Sequence, residues 1–353
     1  MKISDIHEIT FMMHMAVCHC YCGHCKAVGK GQLSRLEQKP AATISFAVCR
    51  EIMERFRTWR DKNDYQHIRM NFGDSECSDY PEICDKIAYA REIKRRHAGL
   101  VMCNGMRIKP EAEQHRWLQD IYDAGARVIC NTIYGTEQEH DRYAGRAGDF
   151  EHIVLLNNLA SKVGLNRMHV VFFAKSRRPY LEEIVDKFSS LPGKVYFEFR
   201  PFYGPMHDPF IQSERVSKEE WDALPEFVRK NTQFPLKTQR EWVDYFISEY
   251  DDPLRYSPQM VLDFHIGMMG ADKLLQTDVE ELLEENAAEY MQRWNNTVSL
   301  SELARKYGQT GIEKDLMYTF GDIESSWVKM YMDEHPEHGP IHQFGFESKH
   351  LKR

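Results

Sequence analysis

The stretch VCHCYCGHCKAV, residues 17–28, holds four cysteines and two histidines in twelve positions. Thiols and imidazoles crowded this tightly read as metal ligands. Cys18, Cys22 and Cys25 are spaced C-x3-C-x2-C. A loop with this spacing can wrap three thiolates around one face of a cubane iron–sulfur cluster. Three ligands leave one of the four irons open to chelation by a small molecule. The competing chemistry is a closed tetrahedral zinc site, with Cys20 or a histidine as the fourth ligand. Cys20 falls between the ligand positions and is read as an unligated thiol facing away.

The elements around this loop follow from texture. Short β-rich apolar runs occur at EITFMMHMAV, HIRMNF, GLVMC, ARVICNTI, MHVVFFA and KVYFEF, between residues 8 and 200. Longer stretches of helical spacing separate them. Phe46, Cys49, Ile52, Met53, Phe56 and Trp59 share one face, as do Trp117, Leu118 and Ile121. Pro110 marks a helix start and Gly125 a helix end. Six strands, each followed by a helix, imply a parallel α/β sheet. No Gly-x-Gly-x-x-Gly loop follows the first strand, which favours a barrel over a dinucleotide-binding sheet. The cysteine loop then sits at the C-terminal mouth of the strands, where such folds place their chemistry.

Taken in order, these motifs resemble the radical S-adenosylmethionine (radical SAM) superfamily, whose core is a partial (β/α)6 barrel of TIM type. The resemblance covers about residues 8–205. MNFGDSE after the second strand is similar to the family's Gly-Gly-Glu motif, with Gly73 at its second glycine, Asp74 at its acid and Glu76 as the fallback. VMCNGMRI resembles a Thr-Asn-Gly segment with Cys103 in place of the threonine. In RVICNTIYGTEQEHDRYAGRAGDF, Thr132 takes the polar contact position with Asn131 beside it, and His140 and Asp141 match a His-Asp pair. EFRPFYG fits the sixth strand. One glycine of the Gly-Gly pair is absent, the acid is an aspartate, and His24 replaces the usual aromatic before the last cysteine.

The resemblance implies a [4Fe–4S] cluster on Cys18, Cys22 and Cys25 that reductively cleaves S-adenosylmethionine to methionine and a 5′-deoxyadenosyl radical, which abstracts a substrate hydrogen. It implies Asp74, Thr132, Asn104 and Asn131 as cofactor contacts, and a reductant such as flavodoxin or ferredoxin as partner. The motifs identify no catalytic residue beyond these. No cysteine follows Cys130. A C-terminal auxiliary-cluster domain is therefore not expected, and redox-neutral isomerisation or rearrangement is favoured. Substrates of the expected kind are a modified nucleoside or DNA base, as in phage-type thymidine hypermodification, or an amino-acid derivative. The alternatives are a peptide-modifying epimerase or cyclase, and a non-catalytic zinc-binding protein.

Three prolines in the ten residues from Pro201 mark a boundary. The core barrel is assigned to 1–210 and a mainly helical C-terminal extension, shaping the substrate pocket or closing over it, to 211–353. Ser299 and Glu302 form an expected capping box, with Gly308 as C-cap. The chain has 353 residues, 42% of them hydrophobic, and a net charge of −8. That balance does not attract phosphate backbones, so nucleic acid is a possible partner that the charge does not indicate. No apolar run is long enough to span a bilayer, and the first residues lack the order of a signal peptide. The nine cysteines are odd in number and clustered towards the N-terminus, which reads as a reduced, cytoplasmic protein.

Overall fold

The computed structural model describes residues 3–13, 18–22, 44–74, 78–95, 97–202, 206, 208–256, 258–310 and 315–344. Its strands are β1 (Ile6–Met13), β2 (Arg69–Asp74), β3 (Leu100–Met102), β4 (Val128–Ile133), β5 (Asn166–Phe173), β6 (Val195–Pro201), β7 (Lys237–Thr238), β8 (Met260–His265) and β9 (Met317–Tyr318). The helices that matter here are α1 (Phe46–Lys62), α2 (Ile83–Glu92), α3 (Glu111–Ala124), α4 (Glu137–Ala144), α5 (Asp149–Val163), α6 (Leu181–Ser189), α7 (Gln239–Ser248), α8 (Ala271–Gln276), α9 (Val279–Asn295), α10 (Leu300–Tyr307) and α11 (Phe320–Glu334). All six strands expected from the apolar runs are present.

The chain forms two compact units. The first comprises Met1–Val171, Glu182–Phe197 and Met260–Ala287; the second comprises Phe172–Leu181, Glu198–Gln259 and Ala288–Arg353. The large sheets have the orders β2-β1-β8 and β3-β4-β5-β6. β1 is parallel to both its neighbours, and β3, β4 and β5 are parallel to one another. The fold is a mixed α/β one built of parallel strands and helices, and its barrel is not closed, because β2 and β3 belong to different sheets.

β8 is a strand that the sequence did not reveal. It lies in the stretch expected to be mainly helical, yet pairs with β1 from Ile6↔Met260 to Met12↔His265. The alternation that escaped notice is plain in its burial. Met260, Leu262 and Phe264 are buried, while Val261 and Asp263 are exposed. Phe264 packs on Phe56 of α1 with ring centroids 5.0 Å apart, and Phe11 of β1 meets the same ring at 5.1 Å. Arg55 of α1 donates to the carbonyl of Thr277 at 2.8 Å and also to that of Leu274, satisfying the end of α8.

Helix boundaries follow the residues that set them. Pro110 is the N-cap of α3, and Gly125 ends it with φ +114°. Ser299 accepts a hydrogen bond from the Glu302 N–H, which supplies the N-cap half of the expected box on α10, and Gly308 is its C-cap in the right-handed region. The core of the second unit gathers Trp242 and Phe246 of α7, Leu303 and Tyr307 of α10, and Phe320, Ile323 and Trp327 of α11. Buried beside Tyr318, Arg215 pairs with Asp322 at 2.9 Å, and Asp322 also closes a capping box with Thr319. Among the described residues, no helix is long and apolar enough to cross a membrane.

On β5, Arg167 and His169 point into the helix layer. Arg167 donates to the carbonyls of Phe188, Leu191 and Gly193 at 2.9, 2.9 and 3.2 Å. His169 lies 4.3 Å from the Phe188 ring, and among the described residues neither of its ring nitrogens has a hydrogen-bond partner. Burial, and then the Arg167 charge, pulls its pKa down to about 3. The unfolded chain therefore takes up this proton first, near pH 6.5, so the stability His169 permits is full above that value and declines as the pH falls towards 3. The decline is at most about 1.4 kcal/mol per pH unit. His169→Phe is expected to remove about 1 kcal/mol per pH unit of that slope between pH 6 and 4. Urea unfolding at several pH values measures it, and an unchanged slope would assign the acid sensitivity elsewhere.

Candidate metal centre

The segment Cys18–Cys22 follows β1 and alternates strictly. His19 and Tyr21 are exposed, Cys20 and Cys22 are buried, and Cys18 is half-buried. The backbone of the outward pair is tied down. The His19 N–H donates to the Gly105 carbonyl at 2.8 Å, and the Tyr21 N–H donates to the Ala144 carbonyl at 2.7 Å. The loop after β1 is thus fastened to the loop after β3 and to the end of α4.

Two glycines permit the approach. Gly105 has φ +71°, and a methyl group there would overlap the Cys18 sulfur. Gly145 has φ +64°, and its added carbon would lie 2.9 Å from Tyr21 Cβ. Only glycine meets both the left-handed backbone and the contact.

The described thiols in this segment are reduced. The Cys20 thiol adjoins those of Cys18 and Cys22, which corrects the expectation of a sulfur facing away. Its sulfur also donates to Asp149 Oδ2 at 3.4 Å. Asp149 is 2% exposed and fully engaged. His140 Nε2 meets Oδ2 at 3.1 Å, and the Arg146 guanidinium meets Oδ1 while also reaching the Met106 carbonyl. His140 Nδ1 accepts the Tyr134 N–H at 3.2 Å, so the imidazole proton sits on Nε2 and points at the carboxylate. The Tyr134 ring lies over His140 at 5.4 Å, and its hydroxyl hydrogen-bonds with the Cys22 side chain.

Electrostatics follow from this packing. The hydrogen bond with Cys20 and then burial raise the Cys18 thiol far above its ordinary range, against the pull of the Arg146 charge. Burial alone would raise Asp149; His140 and Arg146 reverse it and hold the carboxyl at about 2. Cys18 therefore carries a proton that an incoming metal would have to displace, with the Arg146 guanidinium close by to favour the thiolate. Among the described residues, no group of three or more His, Cys, Asp or Glu side chains is arranged to hold a metal ion. Cys25, His24 and Glu76 lie outside the described residues.

The proposed cofactor contacts fall in different places. Asp74 is the last residue of β2, opposite Met13 of β1. Thr132 is brought together with Asn104. The Asn104 amide accepts the Thr132 N–H at 2.5 Å and donates to its carbonyl at 3.1 Å, doing the work of a neighbouring strand. Asn131 points to the other face of β4, is fully buried, and accepts from Asn157 of α5 at 3.1 Å. His140 and Asp141 divide their tasks. His140 holds Asp149, while Asp141 accepts from the N–H groups of Gly148 and Phe150 at 2.6 and 2.9 Å and so caps α5.

Several residues of the site were missed in the sequence. Asp149, Arg146 and Tyr134 carry no spacing signal, whereas the alternation C-x-C-x-C was itself a signal for thiols on a shared side of an extended segment. Lys86 of α2 was missed as well. It is buried beside a cavity of about 150 Å³ between β2 and β3, and burial, then the Arg95 charge, lowers its amine to about 7.

No family model matches the sequence, and no curated protein matches it. Solved structures similar to this chain include SuiB of Streptococcus suis, at 14% identity over 74% of this chain and 58% of that one, TM-score 0.43. SuiB has also been solved bound to S-adenosylmethionine and to the precursor peptide SuiA. A second is TsrM of Kitasatospora setae, a radical S-adenosylmethionine methyltransferase with cobalamin and a [4Fe-4S] cluster bound, at 16% identity over 55% and 36%, TM-score 0.33. A third is coproporphyrinogen III oxidase (HemN) of Escherichia coli, a radical SAM enzyme, at 15% identity over 61% and 50%, TM-score 0.34. The chain spans less than two thirds of the length of each.

Gly105→Ala tests the close approach. A left-handed alanine costs about 1–2 kcal/mol before the overlap with Cys18 is relieved, so the segment is expected to shift. Metal-to-protein ratio after anaerobic loading should fall about tenfold on that cost alone, with circular dichroism unchanged. Wild-type loading would show that the glycine does not set the position of Cys18.

Proposed function

We propose that this chain is a radical SAM enzyme, with Cys18, Cys22 and Cys25 holding a [4Fe–4S] cluster. The observation that carries the reading is the placement of the reduced Cys18 and Cys22 in a segment that comes after a parallel strand in the chain. That segment is fastened across the ends of β3 and α4. The donor set suits iron and sulfide, since thiolates are the ligands such clusters take.

The bound cluster would supply the electron that cleaves S-adenosylmethionine and yields the 5′-deoxyadenosyl radical. The chain's own residues do the positioning. Asp74, at the end of β2, is proposed to receive the amino group of S-adenosylmethionine, and Thr132, at the end of β4, to offer a polar contact. Asn104 serves that contact indirectly by fixing the Thr132 backbone, and Asn131 serves it from the packing layer against α5. Reductant, by the same reading, is flavodoxin or ferredoxin. Hydrogen abstraction is proposed to begin a redox-neutral isomerisation or rearrangement of a modified nucleoside, a DNA base or an amino-acid derivative. A peptide substrate for epimerisation or cyclisation is the alternative within the same chemistry.

One observation favours a second reading. The Cys20 thiol adjoins those of Cys18 and Cys22, and with Cys25 it would complete a four-thiolate set, which is a closed zinc site without catalysis.

Anaerobic reconstitution with iron and sulfide, followed by electron paramagnetic resonance, separates the two. A reduced-cluster signal that changes on adding S-adenosylmethionine and is lost in Cys22→Ala is the expected result. Stoichiometric zinc with no iron would overturn the enzyme reading. With a cluster in hand, deuterated nucleosides and peptides offered separately should show which class passes deuterium into 5′-deoxyadenosine.

A further inference from the structure

Cys20 and Asp149 are 129 positions apart, and both are 2% exposed. Each side-chain oxygen of Asp149 has a donor from the protein: His140 and Cys20 on Oδ2, Arg146 on Oδ1. A carboxylate removed from water is tolerated when it is hydrogen-bonded and paired in this way. Cys20 is the only one of these partners that belongs to the cysteine segment, so it is the link through which Asp149 acts on that segment. The Cys20 sulfur is directed at the Asp149 carboxylate at 3.4 Å, and turning it towards a metal would break that hydrogen bond.

We propose that Asp149 is a positioning residue for the cysteine segment: acting through the Cys20 thiol, it sets how Cys18 and Cys22 are presented, and Cys20 is an anchor rather than a metal ligand. The proposal rests on the proposed function for the identity of the metal group, though the anchoring itself exists in the metal-free protein. His140 and Arg146 complete the device, His140 by the proton that Tyr134 fixes on Nε2, Arg146 by its charge.

The test compares wild type, Cys20→Ala, Cys20→Ser, Asp149→Asn and the double variant Cys20→Ala/Asp149→Asn. Two measurements are made on each. In the metal-free protein, mass spectrometry follows the alkylation rates of Cys18 and Cys22 by iodoacetamide. After anaerobic reconstitution, iron, sulfide and zinc are counted, and the reduction potential and paramagnetic signal are recorded. Loss of a hydrogen bond to a charged group should raise the alkylation rates about tenfold in Cys20→Ala and in Asp149→Asn. The double variant should match either single one, because both sever the same link. Cys20→Ser, which keeps a donor, should stay near wild type. Cys20→Ala should still bind four irons, with a displaced potential, where Cys22→Ala binds none.

Loss of the cluster in Cys20→Ala, with four irons in wild type, would make Cys20 a ligand and overturn the proposal. Additive effects in the double variant would overturn it as well. If Asp149→Asn does not fold, the contrast between Cys20→Ala and Cys20→Ser decides. If wild type takes zinc and no iron, the proposed function fails, and the alkylation rates still decide whether Asp149 anchors the segment.

Discussion

A closed circuit of contacts around one buried carboxylate holds the candidate site together. Asp149 accepts from Cys20, His140 and Arg146. His140 is fixed by the backbone of Tyr134, and Tyr134 returns to the segment through its hydroxyl at Cys22. Every link uses a group that would be costly to bury alone, so the circuit is stable only when complete. Its consequence is geometric: the start of α5, the end of β4 and the loop after β1 are located relative to one another by polar contacts of fixed direction. Apolar packing alone, which has no such directionality, would not fix them.

The backbone supplies the second constraint. His19 and Tyr21 give their N–H groups to the loop after β3 and to the end of α4, and the cysteines between and beside them are the more buried residues of the segment. Those two bonds could not form if Gly105 or Gly145 carried a side chain, since both glycines occupy left-handed backbone in contact with the segment. Sulfur position is therefore specified twice, once by main-chain bonds from outside and once by the Asp149 circuit from inside.

The legible part of the sequence was the part with a period. Strands β1 to β6 showed as apolar runs, the face of α1 showed at helical spacing, and Gly125 showed as a terminator because a left-handed end is where glycine is least costly. β8 was hidden because it is a short alternating strand, MVLDFH, set among long helices, and its partner β1 is more than two hundred residues away. Spacing located Cys18 and Cys22, yet could not show that Cys20 adjoins both, nor that Asp149, Arg146 and Tyr134 converge on them. Contacts between side chains distant in sequence leave no periodic trace. Asn104 shows the same limit from the other side: its motif suggested a ligand contact, whereas its amide is spent on the backbone of Thr132.

Cys20 brings these strands of argument to one point. In the sequence it is a fourth thiol among three, and spacing alone leaves it a spare or a ligand. In the fold its proton is directed at a carboxylate that two cationic or proton-donating partners keep ionised, at about 2. The hydrogen bond to Asp149 ties the middle of the segment to the start of α5, and an incoming metal would have to break it before Cys20 could turn its sulfur to the site. Cys18 and Cys22 flank it beyond the main-chain bonds that His19 and Tyr21 give to Gly105 and Ala144. It is this difference in attachment, rather than the number of thiols, that can set an anchor apart from its neighbours.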